Sequence, residues 1–182
     1  MPQMKLLGIS GSLRKASDNR KLIREAARLA EASEFLEADL KLPLYDGDLE
    51  DADGIPESVL VLARQIADAQ AVVISTPEYN KGVSGVLKNA LDWLSRTDIK
   101  PWAGKPVAIL SATAGRSGGE RVQANLRLLM MPFRPRLVIG PDVLVGGSYD
   151  QFDKDDRLVG EIYIKQLTEL MQATQAEIDR AQ

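Results

Sequence analysis

The 182-residue sequence contains neither cysteine nor histidine. Without cysteine there is no disulfide, no thiolate nucleophile, no cysteine-ligated zinc and no iron–sulfur cluster. Without histidine the commonest general base, the usual catalytic triads and most transition-metal sites are absent too. Any chemistry must come from carboxylates, lysine, tyrosine or serine, or from a bound cofactor. No apolar run approaches the roughly 20 residues that span a bilayer. The start "MPQMKLLGIS" has no long apolar segment of the kind a secretory signal needs. A cytoplasmic protein that avoids membranes is the expectation. The 23 basic and 26 acidic residues leave a net charge of −3. That is no footprint for nucleic acid, and it falls short of the heavy acidity of many small electron carriers.

What is present is a globular composition, 45% apolar and 27% charged. The length suits one domain with a sizeable core, and a single domain over residues 1–182 is expected. No repeat, low-complexity stretch or linker divides it.

Apolar runs alternate with helical periodicity. "MKLLGIS", Met4 to Ser10, reads as a buried strand. Ser17 or Asp18 caps a helix carrying Leu22, Ile23, Ala26, Ala27 and Ala30 at a spacing near 3.6. Phe35 to Leu40 is a weaker strand. Pro56 opens a helix with Val59, Leu60, Ala63, Ile66 and Ala67. "AVVIST", Ala71 to Thr76, is the clearest strand, and Pro77 bounds it. A helix over about Gly82 to Arg96, a strand over Val107 to Ala112 and a helix over about Gly119 to Met131 follow. A fifth strand near Arg136 to Gly140 and a last helix over about Asp156 to Arg180 complete the chain. Near-continuous apolar strands alternating with helices predict a doubly wound parallel sheet of five strands covered on both faces.

In such a sheet, ligands bind beyond the carboxyl ends of the strands, at the switch point of strand order. The loops there are "GSLRKASDN", "PEYNKGVSG" and "SATAGRSGG". The first joins a strand to a helix N-terminus, where free N–H groups and the macrodipole favour an anion. Glycine permits close backbone approach. Ser10, Ser12, Ser17 and Asn19 add polar groups, and Arg14 adds a fork suited to phosphate. Together they describe a phosphate cradle, although an ordinary capped strand-to-helix turn is the plainer alternative. The loop is neither a Walker A sequence nor GxGxxG. In the second loop Glu78, Tyr79 and Asn80 occupy the rim, where a flat ring can slot against the backbone; a solvated carboxylate and a rim aromatic or subunit contact are the alternatives. The third loop contributes Thr113, Gly115 and Arg116, with Arg116 either meeting a second nucleotide or standing as a surface base. The acidic run "YDGDLEDAD" lacks the pattern of a calcium loop and reads as a solvated connection. Trp93 lies beside an apolar helix stripe and reads as core or interface packing.

Taken together, "GISGSLRKASDN", "LPLYDGDLE" with "GIP", "STPEYNKGVSGVLKNALDWLSR" and "KPVAILSATAGRSGG" resemble the NAD(P)H-dependent FMN reductase family, the flavodoxin-like group that includes chromate- and quinone-reducing flavoproteins. The match runs from about Gly8 to Gly119. It implies a flavodoxin-like sheet in the order 2-1-3-4-5 and a tightly held FMN. It also implies that Ser12, Arg14, Ser17 and Asn19 hold the flavin phosphate, with Ser10 and Gly11 shaping the turn. Pro77, Glu78, Tyr79 and Asn80 would line the isoalloxazine edge, and Thr113 and Gly115 would meet the ring from the other side. The implied activity is hydride transfer from NADPH or NADH to FMN, then to a small-molecule acceptor such as a quinone, free flavin, azo compound or chromate. No protein nucleophile is required, which suits a chain lacking histidine and cysteine, and no metal is expected. An FMN-binding electron carrier without NAD(P)H oxidation is the alternative. The resemblance further implies a homodimer or homotetramer, with Tyr79, Trp93 and residues 116–131 as candidate contacts.

Overall fold

The computed structural model describes residues 4–180; the ends of the expected 1–182 domain lie outside them. In chain order the elements are β1 (Lys5–Ser10), α1 (Asp18–Leu29), β2 (Glu34–Glu37), α2 (Gly47–Asp53), α3 (Glu57–Asp68), β3 (Ala71–Thr76), α4 (Gly85–Arg96), β4 (Pro106–Ala112), α5 (Glu120–Met130), β5 (Arg136–Leu137), β6 (Val143–Val145) and α6 (Glu161–Asp179). Every strand pairs parallel, and the order is β2-β1-β3-β4-β5. All six residues of β3 and all seven of β4 are buried. This is why those stretches read as unbroken apolar runs rather than alternating ones.

Two layers of helix cover the sheet. On one face Leu22, Ile23 and Ala26 of α1 pack with Leu167, Leu170 and Met171 of α6. On the other, Leu62 and Ile66 of α3 meet Leu87 and Leu94 of α4 and Leu126 of α5. The carboxyl ends of β1, β3 and β4 therefore open at one rim, between two helical layers.

Four local expectations are corrected. The fifth strand expected over Arg136 to Gly140 shortens to Arg136–Leu137, and a sixth strand that was not expected, Val143–Val145, follows it on the same side of β4. Arg136 and Leu137 pair with Pro106 and Val107, and Val143 to Val145 pair with Leu110 to Ala112 as a sixth strand. Gly140 and Pro141 lie between them; proline has no N–H for the ladder, and Ile139 is thrown out to 94% exposure. The acidic stretch expected to be a connection forms α2, whose N-cap Asp46 accepts from the Asp48 N–H at 3.0 Å. Trp93 is fully buried within its own chain. Its Nε1 donates to the Pro43 carbonyl at 2.8 Å, and Tyr45 meets its ring edge-on at 5.0 Å. It is therefore not available as a subunit contact. The last helix begins at Glu161 rather than Asp156, because Phe152 and Leu158 bridge in a small antiparallel turn ahead of it.

That turn is clipped to α1 by a buried carboxylate. Glu25 Oε1 accepts from Arg157 Nη1 at 2.9 Å and Glu25 Oε2 accepts from the Leu158 N–H at 3.2 Å. Arg28 closes the cluster from the same helix. Burial alone would push the Glu25 carboxyl up, but hydrogen bonds from Arg28, Arg157 and the Leu158 N–H outweigh it and hold it below the ordinary carboxylate range.

Candidate functional site

The three loops distinguished in the sequence meet at the carboxyl rim, and the turn after β6 joins them. They enclose a cleft of about 550 Å³, within the range of roughly 300–1,000 Å³ usual for small-molecule sites.

The first loop gives Ser12, Arg14, Ser17 and Asn19 to the cleft wall. Ser10 and Gly11 stand behind it. Ser10 Oγ accepts from the Ser12 N–H at 3.3 Å and sets the turn. The Gly11 N–H donates to the Ser75 carbonyl at 2.8 Å. A Cβ on Gly11 would stand 2.8 Å from Thr76 Oγ1, so the loop lies this close to β3 only because residue 11 is glycine. Ser17 is the N-cap of α1, yet its side chain makes no capping bond, where a serine ordinarily would. The backbone N–H groups of Asp18 and Asn19 have no partner among the described residues. A nearly buried hydroxyl and two free N–H groups thus border the cleft at the positive end of a 12-residue helix. Arg14, exposed beside them, has no carboxylate partner among the described residues.

The side chain of Asn19 does different work. Its Oδ1 accepts from Ser75 Oγ at 2.8 Å and the Ala112 N–H at 2.9 Å, and its Nδ2 donates to the Ala112 carbonyl at 2.9 Å. The carboxamide pins α1 across β3 and β4, leaving the backbone N–H as the group Asn19 can offer a ligand.

Pro77, Glu78 and Tyr79 of the second loop line the cleft. Asn80 does not. With Lys81 it forms the corner of a tight turn, the two φ values being 51° and 67°. Reciprocal bonds between Tyr79 and Gly82 at 3.1 and 3.0 Å close that turn. Glu78 Oε2 accepts from the Val122 N–H at 3.1 Å, caring for an α5 terminus whose own N-cap, Gly119, has no side chain to offer.

Thr113 and Gly115 represent the third loop in the wall, and Arg116 is exposed beyond them. The Thr113 N–H donates to the Val145 carbonyl at 2.9 Å. A Cβ on Gly118, whose φ is 62°, would fall 2.3 Å from the Leu144 carbonyl oxygen. Ser148 and Tyr149 also line the cleft. Sequence reasoning missed them because they follow β6, three residues too short to be read as a strand beyond the expected end at Gly140. The "GGS" at Gly146 to Ser148 is the signal that marks this turn.

A roomier hollow of about 650 Å³ lies at the opposite end of β1, among Leu7, Leu36 and Gln65. Its one basic lining residue, Lys5, is paired with Glu34 at 3.0 Å, and no helix N-terminus opens into it. It lacks what an anion requires.

A parallel sheet with polar, glycine-bearing loops and a helix N-terminus at its carboxyl rim is the architecture of the doubly wound nucleotide- and flavin-binding proteins. Comparison with known proteins gives the family. A family model described as NADPH-dependent FMN reductase matches residues 4–150. An NAD(P)H-dependent FMN reductase of Pseudomonas aeruginosa is 39% identical over 179 residues, covering 97% of this chain and 96% of its own. A quinone reductase of Escherichia coli K12 is 40% identical over 163 residues, covering 88% and 85%. Among solved structures, the flavoenzyme NAD(P)H:(acceptor) oxidoreductase FerB of Paracoccus denitrificans superposes with a TM-score of 0.86 at 33% identity, covering 97% of this chain and 98% of its own. The chain belongs to the NADPH-dependent FMN reductase family. It is an oxidoreductase that uses FMN and an NAD(P)H donor, and not a passive electron carrier. The cleft suits that cofactor: free donors for a phosphate and the Pro77 and Tyr79 side chains for a flat ring line the same cavity.

Proposed function

We propose that FMN lies in this cleft with its phosphate at the N-terminus of α1 and its ring toward the Pro77–Tyr79 segment. When bound, FMN supplies the redox chemistry, taking a hydride from NAD(P)H and passing it to an acceptor. The observation that carries this placement is the set of free donors at one helix end: the Ser17 hydroxyl and the N–H groups of Asp18 and Asn19. Ser12 and Arg14 add a second hydroxyl and a positive charge. Ser10 and Gly11 hold the loop's shape from behind, and Asn80 holds the shape of the second loop. Pro77, Glu78 and Tyr79 form one side of the ring site, and Thr113 with Gly115 forms the other. The residues thus bind and orient; no side chain is required to take or give a proton to start the reaction.

We assign the acceptors to the quinone class. The E. coli relative named quinone reductase and a 2-hydroxy-1,4-benzoquinone reductase of Burkholderia, 37% identical over 171 residues, support this. Free flavin, azo compounds and chromate are further candidates for the same exposed mouth. Among the described residues no helix is long and apolar enough to cross a membrane, and we place the enzyme in the cytoplasm. We read residues 1–182 as one FMN-binding domain that assembles as a homodimer or homotetramer through the exposed Tyr79, Leu128 of α5 and Met131 just beyond it.

Anaerobic stopped-flow mixing of the FMN-loaded protein with NADPH or NADH tests the reaction, and a Ser17→Ala variant that loses affinity for FMN but not for riboflavin tests the placement. Rapid bleaching of the flavin band is expected, followed by recovery on adding a benzoquinone. A bound flavin that stays oxidised with both donors would overturn the reading. Light scattering coupled to gel filtration gives the oligomeric state; a monomer would reject the assembly.

A further inference from the structure

The turn after β6 is the part of the cleft that neither the sequence motifs nor the proposed FMN ligands account for. Ser148 is 5% exposed and lines the cleft. Among the described residues no group donates to or accepts from its hydroxyl. Its oxygen is not enclosed with the polar atoms that lack a partner; it opens on the cavity and is free to meet a ligand there.

The turn is also held unusually well for a surface segment. The Ser148 N–H donates to the Thr113 carbonyl at 3.0 Å and the Gly147 N–H to the Gly115 carbonyl at 3.3 Å. From the helical layer behind, Tyr163 Oη accepts from the Gly146 N–H at 3.3 Å. A Cβ on Gly146 would stand 2.6 Å from the Arg116 carbonyl oxygen, so the turn lies against the third loop at glycine distance. Gly147 takes a left-handed φ of 55°, which sends the chain into the short 3-10 turn Ser148–Asp150. These restraints fix the backbone of Ser148 while leaving its hydroxyl free.

The hydrogen bonds also show which end of the cleft Ser148 occupies. Asn19, the second residue of α1, is bonded to Ala112; Thr113 follows Ala112; and Thr113 is bonded to Ser148. The free hydroxyls of Ser17 and Ser148 therefore belong to one continuous wall beside the α1 N-terminus. From this we infer that Ser148 is a further ligand of the FMN phosphate, donating its hydroxyl from the wall built by β4 and β6. The inference rests on the placement of FMN proposed above. It makes the phosphate site a product of two loops far apart in sequence, where the motif-bearing first loop alone had seemed sufficient.

The test is equilibrium titration of apoprotein with FMN and, separately, with riboflavin, which lacks the phosphate. For Ser148→Ala, FMN affinity should fall about tenfold, the usual scale for one hydrogen bond to a charged group, while riboflavin affinity stays unchanged. Ser148→Thr, which keeps the hydroxyl, should recover most of the loss. Circular dichroism and urea unfolding of the apoproteins should coincide with wild type, separating a lost ligand from a disturbed turn. FMN affinity within twofold of wild type, or equal losses for FMN and riboflavin, would overturn the inference. Failure of the wild-type protein itself to bind FMN would instead overturn the placement of the cofactor.

Discussion

Asn19 and Ala112 hold each other twice. The carboxamide donates to the Ala112 carbonyl and accepts from its N–H, both at 2.9 Å, as one strand residue would pair with another. A side chain from a helix N-terminus thus extends the edge of β4 at the point where the cleft begins. Asn19→Ala would leave a buried N–H, a buried carbonyl and the Ser75 hydroxyl short of a partner. The expected cost is about 2–3 kcal/mol of unfolding free energy, read by urea denaturation, together with weaker FMN binding as α1 loses its register. Asn19→Asp should not rescue it, because a carboxylate cannot donate to the Ala112 carbonyl. Wild-type stability in either variant would contradict this role.

Arg14 is predicted to behave in the opposite way. It is exposed and unpaired among the described residues, so Arg14→Ala should change stability by less than about 0.5 kcal/mol. FMN affinity should fall about tenfold with riboflavin affinity intact. The wild-type advantage should also shrink as salt rises, because an exposed charge is screened. Affinity for FMN that is unaltered by the substitution would remove Arg14 from the phosphate site.

Glu78 links the second loop to α5 through the Val122 N–H at 3.1 Å. Removing this remote cap in Glu78→Ala should cost about 1 kcal/mol; Glu78→Gln keeps an acceptor and should cost less. Paired denaturation curves decide it. Equal losses in the two variants would mean that charge, not the hydrogen bond, is what α5 gains.

Glu25 sets an acid limit. Its carboxyl is held below the ordinary range of 4.5 in the folded chain. A depressed carboxyl contributes stability that is present above its unfolded pKa and is lost as pH falls through its folded pKa. Stability should therefore hold from neutrality down to about pH 4.5 and decline below it. In Glu25→Gln the decline should be shallower, from a lower starting stability at pH 7. Unfolding curves collected across pH 3 to 7 measure both slopes; parallel profiles would remove Glu25 as the source.

The parts of this fold legible in the sequence are those governed by burial. β3 and β4 are buried along their whole length and mostly apolar because they are covered on both faces. The short α2 carried no such signal: none of its residues is buried, and what holds it is polar, the Asp46 cap and the bonds of Glu50 with Arg96 and Tyr45. β6 was illegible for another reason. The expected strand stops at Gly140, where Gly-Pro reads as an end, and "VLV" beyond it is too short to announce a strand by itself; whether the chain resumes pairing there depends on what β4 offers alongside. The site divides similarly. Glycine, serine and arginine in the first loop announce an anion by their chemistry. Ser148 reaches the cleft wall through contacts distant in the chain, among them the bond from its N–H to the Thr113 carbonyl. Trp93, whose place beside an apolar stripe suits core or interface alike, is settled as core by the Pro43 carbonyl and the Tyr45 ring.

The interruption at Gly140 and Pro141 has a bearing on how copies of this protein meet. An unbroken outer strand would present a row of open backbone groups on which another chain could continue the ladder. Here that margin is split into pieces of two and three residues, with Ile139 splayed outward and a proline that cannot donate. At the far margin β2 has only four residues, and its Glu34 and Glu37 are engaged by Lys5, Arg20 and Arg24. Both borders are thereby poor templates for edge-on growth, and runaway stacking of sheets is denied a starting ledge.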